Sequence, residues 1–168
     1  SVNSGLAFDA ANTGVFFTTD TFAEFNQLAH KNRVTGEVTI ISQNINWDVD
    51  GFAISSDGKR AAFKVNENGF STLYLLNTQT LQYRQVEDLP MGLVGGMQFN
   101  EVGSQLGLSL NTYQSPSDTY TLALSRNPLR HKDLVRWTQS EVGGLDTSTF
   151  VEPQLITYPT FDNRNIPA

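Results

Sequence analysis

A unit of about 45 residues is written three times along this 168-residue chain, and no other feature restricts its fold as strongly. Laying GFAISSDGKRAAF (51–63) over GMQFNEVGSQLGL (96–108) sets Gly51 on Gly96, Ile54 on Phe99, Gly58 on Gly103 and Phe63 on Leu108, each 45 apart. The same segment over GLAFDAANTGVFF (5–17) pairs Gly5 with Gly51, Ala7 with Ala53, Phe8 with Ile54 and Phe17 with Phe63, each 46 apart. Phe25 with Phe70, Leu28 with Leu73 and Thr35 with Thr80 return the offset of 45. The three copies run over about 1–43, 46–88 and 92–138.

Within the middle copy Phe52 and Ile54 alternate with Ala53, and Asp57-Gly58 sits at a hairpin turn. Ala61, Phe63 and Val65 then alternate with Arg60, Ala62 and Lys64, the period of a strand. Asn68-Gly69 tolerates the positive φ of a tight turn, STLYLLN reads as a third strand, NTQT as a turn and LQYRQVE as a fourth. The third copy predicts strands near 94–99, 105–111, 118–125 and 133–138, and the first has LAFDA, GVFFTT, NQLAHK and EVTIIS. Four short antiparallel strands every 40 to 50 residues is the pattern of a β-propeller blade. The expected fold is therefore all-β: a partial β-propeller of three four-stranded antiparallel blades over 1–138, followed by an extended C-terminal tail over 139–168. Three unrelated hairpin sets in a β-sandwich would leave the registered glycines and large apolar residues unexplained.

The stretch INWDVDGFAISSDGKRAAFKVN (45–66) also has calcium-loop spacing, with Asn46, Asp48, Asp50 and Gly51 followed by Asp57 eleven positions after Asn46. A loop of that kind needs carboxylates at its first, third and fifth positions, a bidentate Glu at its twelfth, and helices on both sides. Here the first position is Asn46, the twelfth is the shorter Asp57, and both flanks are β-patterned. The repeat instead places Asp57 in a hairpin turn, where a short side chain caps local amides. Asp48 to Gly51 then reads as the crossover into an innermost strand.

The bulk numbers fit a folded β-rich chain, with 39% apolar and 17% charged residues and 11 Phe, 5 Tyr and 2 Trp. A net charge of -6 without a Lys/Arg cluster argues against a nucleic-acid partner, because the phosphate backbone would be repelled. With no cysteine, disulfides, thiolate zinc sites and a Cys nucleophile are excluded, while the compartment stays open. No apolar run reaches the length of a membrane span. The chain begins at Ser1 without an initiator Met, so a longer natural protein is expected.

FAISSDGKRAAF resembles the recurring blade element of TolB-like propellers and of the propeller in the prolyl oligopeptidase family of serine peptidases. The stretch VRWTQSEVGGLDTSTFVEPQLITYPTFDNRNIPA (135–168) is similar to the passage that leaves the last blade in bacterial members of that family and starts the α/β-hydrolase domain. One departure is Asn163, where the family pattern usually has Gly; Asn also tolerates the left-handed conformation. Read on its own residues, the tail gives a strand over Pro153 to Tyr158, a turn at Asp162-Asn163 and a returning strand beginning at Ile166-Pro167-Ala168.

The resemblance implies a parent enzyme that cleaves peptides with a Ser-His-Asp triad, whose hydrolase domain is the propeller's partner and whose propeller limits which peptides enter. Such chemistry needs a Ser on a strained elbow with a His beside it. No G-x-S-x-G occurs; GLSLN (107–111) lacks the final Gly and lies in a predicted strand. His30 and His131 are the only imidazoles and read as solvated surface residues. No catalytic, metal or cofactor-binding residue is assigned, and no cofactor is expected. Glu101, Asp118, Arg33 and Arg84 read as solvated loop charges and receive no role. The alternative function is a free-standing TolB-like propeller that scaffolds protein partners. In either case three blades leave two sheet faces bare, where rings have about four to eight blades. Three or four large apolar side chains exposed on each face would forfeit about 10 to 20 kcal/mol. Self-association of the chain, or a tail folded over one face, is the expected remedy.

Overall fold

The computed structural model describes residues 1–162 and 165–167, so the expectations for Asn163 and Ala168 fall outside it. Its strands form three four-stranded antiparallel sheets, each a simple meander, with no α-helix among the described residues. The first sheet holds β1 (Asn3–Phe8), β2 (Gly14–Thr19), β3 (Gln27–Asn32) and β4 (Val38–Ile40). The second holds β5 (Val49–Ile54), β6 (Arg60–Glu67), β7 (Phe70–Asn77) and β8 (Tyr83–Gln85). In the third are β9 (Gly92–Phe99), β10 (Gln105–Thr112), β11 (Ser115–Leu124) and β12 (His131–Arg136). A single 3-10 turn at Thr147–Thr149 and a small hairpin of β13 (Thr157–Pro159) and β14 (Asn165–Pro167) complete the tail.

Alternation along the strands makes every sheet two-faced, and the two cores lie between consecutive sheets. Ala61, Phe63 and Leu76 of the second sheet pack with Phe16 and Leu28 of the first. Its opposite face, with Ala62, Leu73 and Leu75, packs with Leu106, Leu108, Leu110 and Leu122 of the third. We call the side toward the preceding blade upstream and the other downstream. Phe63 stacks on Tyr74 with ring centroids 4.9 Å apart and meets the edge of Tyr83 at 5.5 Å.

The hairpin between the first two strands repeats in detail. Asp9, Ser55 and Asn100 each accept, through their backbone carbonyl, the amide of the residue three positions on, namely Asn12, Gly58 and Gly103. Those three have φ of 54°, 66° and 66°, so Asn12 takes in the first blade the left-handed place that glycine takes in the others. The turns also stack from blade to blade. A Cβ on Gly58 would lie 2.7 Å from Ala10 Cα, whereas one on Gly103 would have Ser55 Cβ at 3.4 Å. Gly58→Ala therefore adds a backbone clash to left-handed strain and should lose about 2–3 kcal/mol in urea unfolding, against about 1 kcal/mol for Gly103→Ala. Equal losses at the two positions would refute the stacking.

Several strand ends differ from the sequence expectation. LAFDA stops at Phe8, because Asp9 leaves the ladder to receive the Thr13 amide at 2.9 Å on its carboxylate. The outermost strands of the first two blades shrink to three residues, since Ile41 and Val86 turn inward after one more backbone bond, to Leu28 and Leu73, and become buried. In the tail, only Thr157 and Tyr158 of the expected Pro153 to Tyr158 strand form, joined by Pro159 in β13, being the part that finds a partner in β14.

Candidate functional site

Each new inner strand is hooked to the blade before it. The Val49 amide donates to the Asn26 carbonyl at 2.8 Å, and the Asp48 carboxylate returns the bond by accepting the Asn26 amide at 2.6 Å. One repeat later the Val94 amide donates to Ser71 Oγ at 2.9 Å. At the third position the Ser140 amide donates to Asp118 Oδ1 at 2.9 Å. The spacings are 23, 23 and 22 residues, so the hook belongs to the repeat, but only at the last does a carboxylate accept the amide of the incoming segment, where the chain leaves the blades for the tail.

Asp118 faces the upstream side of β11 opposite Leu110, and it is sealed from solvent by its own partners. Oδ1 accepts Thr138 Oγ1 at 2.8 Å together with the amide and hydroxyl of Ser140, both at 2.9 Å. Oδ2 accepts the Ser115 hydroxyl and Arg136 Nη2, the latter at 2.5 Å. Arg136 also donates through Nε to the Thr138 carbonyl at 2.9 Å, so strand β12 and the exit segment close around one carboxylate. The Ser115 hydroxyl foremost, then Thr138, Ser140 and Arg136, overcome the burial that would raise it and hold the Asp118 carboxyl well below the usual carboxylate range. With five donors its lone pairs are filled, which makes it a clamp on the tail and leaves no room for a substrate proton.

Sequence reasoning missed this, since a single Asp gave no sign that Ser115, Arg136, Thr138 and Ser140 would converge on it. The other charges left unassigned sit on different elements. Glu101 is exposed, with its backbone carbonyl taking the Ser56 hydroxyl across the blade junction. Arg33 lies over the Phe8 ring at 5.5 Å, and Arg84 pairs with Glu87 at 3.4 Å on the outer rim.

His30 is corrected outright: it is not a solvated surface residue. Its ring lies 4.8 Å from Phe16, its Nε2 is 3.1 Å from Asp9 Oδ2, and only 15% of its side chain is exposed. Burial raises the Asp9 carboxyl, but the Thr13 amide, the His30 ring and the Gly14 amide outweigh it and hold the group below its ordinary value. His131 is half-buried beside the rim, with Nδ1 2.9 Å from the Lys132 carbonyl. Asp50 pairs with Lys64 at 3.1 Å and Asp57 receives the Ser55 hydroxyl and the Lys59 amide, so the acidic cluster is spent on a strand pair and a turn. Ser109 of GLSLN lies in β10 and accepts the Gly96 amide at 3.1 Å.

The inner strands β5 and β9 splay to leave a groove of about 500 Å³. Phe52, Ile54, Met97 and Phe99 give it an apolar floor, and Ser56, Asn100 and Glu101 a polar end.

Consecutive four-stranded sheets packed face to face, hooked at each inner strand, define part of a β-propeller. No protein-family model matches the chain, and no curated protein is similar to it in sequence. Among solved structures it is similar to a prolyl endopeptidase at 12% identity, with a TM-score of 0.75 over 98% of this chain and 23% of that one. Prolyl oligopeptidase B from Galerina marginata, bound to a 35mer hydrolysis and macrocyclization substrate, gives 13% identity and a TM-score of 0.76 over 99% of this chain and 23% of that one. TolB from Acinetobacter baumannii gives 17% identity and a TM-score of 0.55 over 79% of this chain and 31% of that one. The chain thus spans under a third of these proteins, and at such identities the likeness is one of fold.

Proposed function

We propose that this chain is the non-catalytic propeller portion of a serine peptidase of the prolyl oligopeptidase type, in which it restricts peptide access to an α/β-hydrolase domain. Residues 1–138 would be the last three blades and 139–168 the link into that domain. The observation that carries this reading is the tail. The likeness to the prolyl peptidases extends over 98–99% of the chain, tail included, whereas the likeness to TolB covers 79%. The clamp at Asp118 fits the same reading, because a link between two domains needs a fixed point of departure.

Eight of the tail's described apolar residues are open to solvent, among them Leu145, Val151, Leu155, Ile156 and Phe161. Such a surface suits a second domain better than free solution. The groove between β5 and β9 would then face the space peptides cross, its apolar floor receiving side chains and its open strand edges offering backbone bonds. A free-standing scaffold of the TolB kind remains the competing function.

The two separate in the source organism. An antibody raised against this chain should capture a polypeptide longer than 168 residues that reacts with a fluorophosphonate probe, the reagent for an activated serine. Capture of an unlabelled protein, under conditions that label other serine hydrolases, would refute the peptidase reading and favour the scaffold.

A further inference from the structure

At the outer rim, the junction of the second and third blades holds a cleft whose two walls both belong to blades of this chain. One wall is β8 with the crossover after it, residues 84–89, and the other is β12 with the turn before it, residues 129–134. The cleft consists of two hollows, of about 230 Å³ and 260 Å³, that share Glu87, Asp88 and His131. Arg84 and Arg130 border only the first hollow, whereas Val86, Leu89, Leu122 and Leu134 border only the second. Lys132 and Asp133, also on the second, carry opposite charges and offset each other.

Each part suits a different chemical group. The Arg130 guanidinium bonds to no described residue, and Arg84 is held only by the exposed Glu87 at 3.4 Å. Two guanidinium groups so loosely engaged at one hollow suit a carboxylate. The shared middle is built of acceptors. Glu87 and Asp88 are carboxylates, and His131 joins them because its Nδ1 lies 2.9 Å from the Lys132 carbonyl. A carbonyl oxygen only accepts, so Nδ1 carries the proton and Nε2 of the neutral ring presents a lone pair. Among the described residues no three such groups form a metal site, so the cation these acceptors suit is an organic ammonium. Asp88 is moreover held at φ 62°, in the left-handed region, whereas Gln43, 45 residues earlier in the preceding crossover, is not. The remaining part is apolar and rests on the core between the two sheets, against which Leu89 and Leu134 pack.

A carboxylate, an ammonium and an apolar group around one centre are the substituents of an α-amino acid. We propose that this cleft binds a free α-amino acid with an apolar side chain, its carboxylate on Arg84 and Arg130, its ammonium among Glu87, Asp88 and His131, and its side chain against Leu89, Leu122 and Leu134. The ligand carboxylate replaces Glu87 on Arg84, which turns Glu87 to the ammonium. The site lies wholly within one blade junction and does not depend on the peptidase reading.

Titrating the isotope-labelled 168-residue chain with L-leucine near neutral pH, followed by amide NMR shifts, tests the assignment. Saturable shifts are expected at residues 84–89 and 129–134, with a dissociation constant on the order of 1 mM, the scale open to so small a ligand. L-Leucine amide, which lacks the carboxylate, and N-acetyl-L-leucine, which lacks the ammonium, should each bind at least about tenfold more weakly. Glycine, without the side chain, should do the same. Arg130→Ala should weaken L-leucine binding by about tenfold or more while leaving the thermal midpoint unchanged, since that exposed side chain holds nothing in the fold. The absence of saturable shifts up to about 50 mM L-leucine would overturn the proposal. N-acetyl-L-leucine or glycine binding as tightly as L-leucine would overturn it equally, the first by removing the ammonium contact and the second by removing the apolar one.

Discussion

Replacing Phe63 by alanine is expected to cost about 3–5 kcal/mol of unfolding free energy, the largest loss of any single substitution in the blades. The side chain has no solvent exposure, stacks on Tyr74 and touches the edge of Tyr83, so truncation opens a cavity between two sheets that cannot collapse independently. Phe17 provides the matched control. It has the same place in its own blade, yet it lines an open hollow of the end face, and Phe17→Ala should cost under about 1.5 kcal/mol in dilute solution. Chemical denaturation followed by tryptophan fluorescence measures both. A similar loss at the two positions would mean that Phe17 is covered within the single chain, and the distinction between internal and end faces would fall.

That contrast also shows what could be read from the residues and what could not. The repeat was legible because a propeller blade asks for the same residue type at the same place each time. Glycine or asparagine is needed where φ is positive at Asn12, Gly58 and Gly103, and a large apolar residue where a neighbour covers the upstream face at Phe63 and Leu108. Thr35 and Thr80, aligned on sequence alone, do the same work in the turn before the outer strand, each hydroxyl accepting the amide two residues on, from Glu37 and Gln82. The offset of 45 residues thus carried backbone geometry as well as pattern.

What escaped was everything that depends on more than one segment at once. His30 stands between the buried Ala29 and the exposed Lys31, and nothing in its surroundings in sequence announces Asp9, 21 positions earlier, or the Phe16 ring beneath it. The downstream register changes from Ala62, Leu75 and Leu73 in the second blade to Gly107, Thr121 and Thr119 in the third, a difference between faces of one sheet that a glycine-and-aromatic alignment does not weigh. Asp118 was hidden for a similar reason: the hook it makes is recognisable only beside those at Asn26 and Ser71, which use a backbone carbonyl and a hydroxyl for the same purpose.

Asp118→Ala is therefore expected to act on two scales. It removes the acceptor for Ser115, Thr138, Ser140 and Arg136 together, so the thermal midpoint should fall by about 5–10 °C. Locally it should free the exit segment, and cleavage by Glu-C protease after the exposed Glu141 should speed up at least tenfold while cleavage after Glu152 changes little. The pH dependence carries the same signature. A carboxyl whose folded-state value lies below the ordinary 3.8 contributes stability that is fully present above about pH 4–5, and that contribution is lost as the pH falls toward the folded-state value. The unaltered chain should accordingly lose its resistance at Glu141 as acid is added, whereas Asp118→Asn, which carries no titrating group at this position, should be susceptible throughout and flatter with pH. The assay is best run by quenching samples equilibrated at each pH into a brief proteolytic pulse at one fixed pH, so that the enzyme's own profile does not enter. If Glu141 is cut no faster in Asp118→Ala than in the unaltered chain, the tail is held by something other than this carboxylate, and the fixed point of departure that the two-domain reading relies on would have to be sought elsewhere.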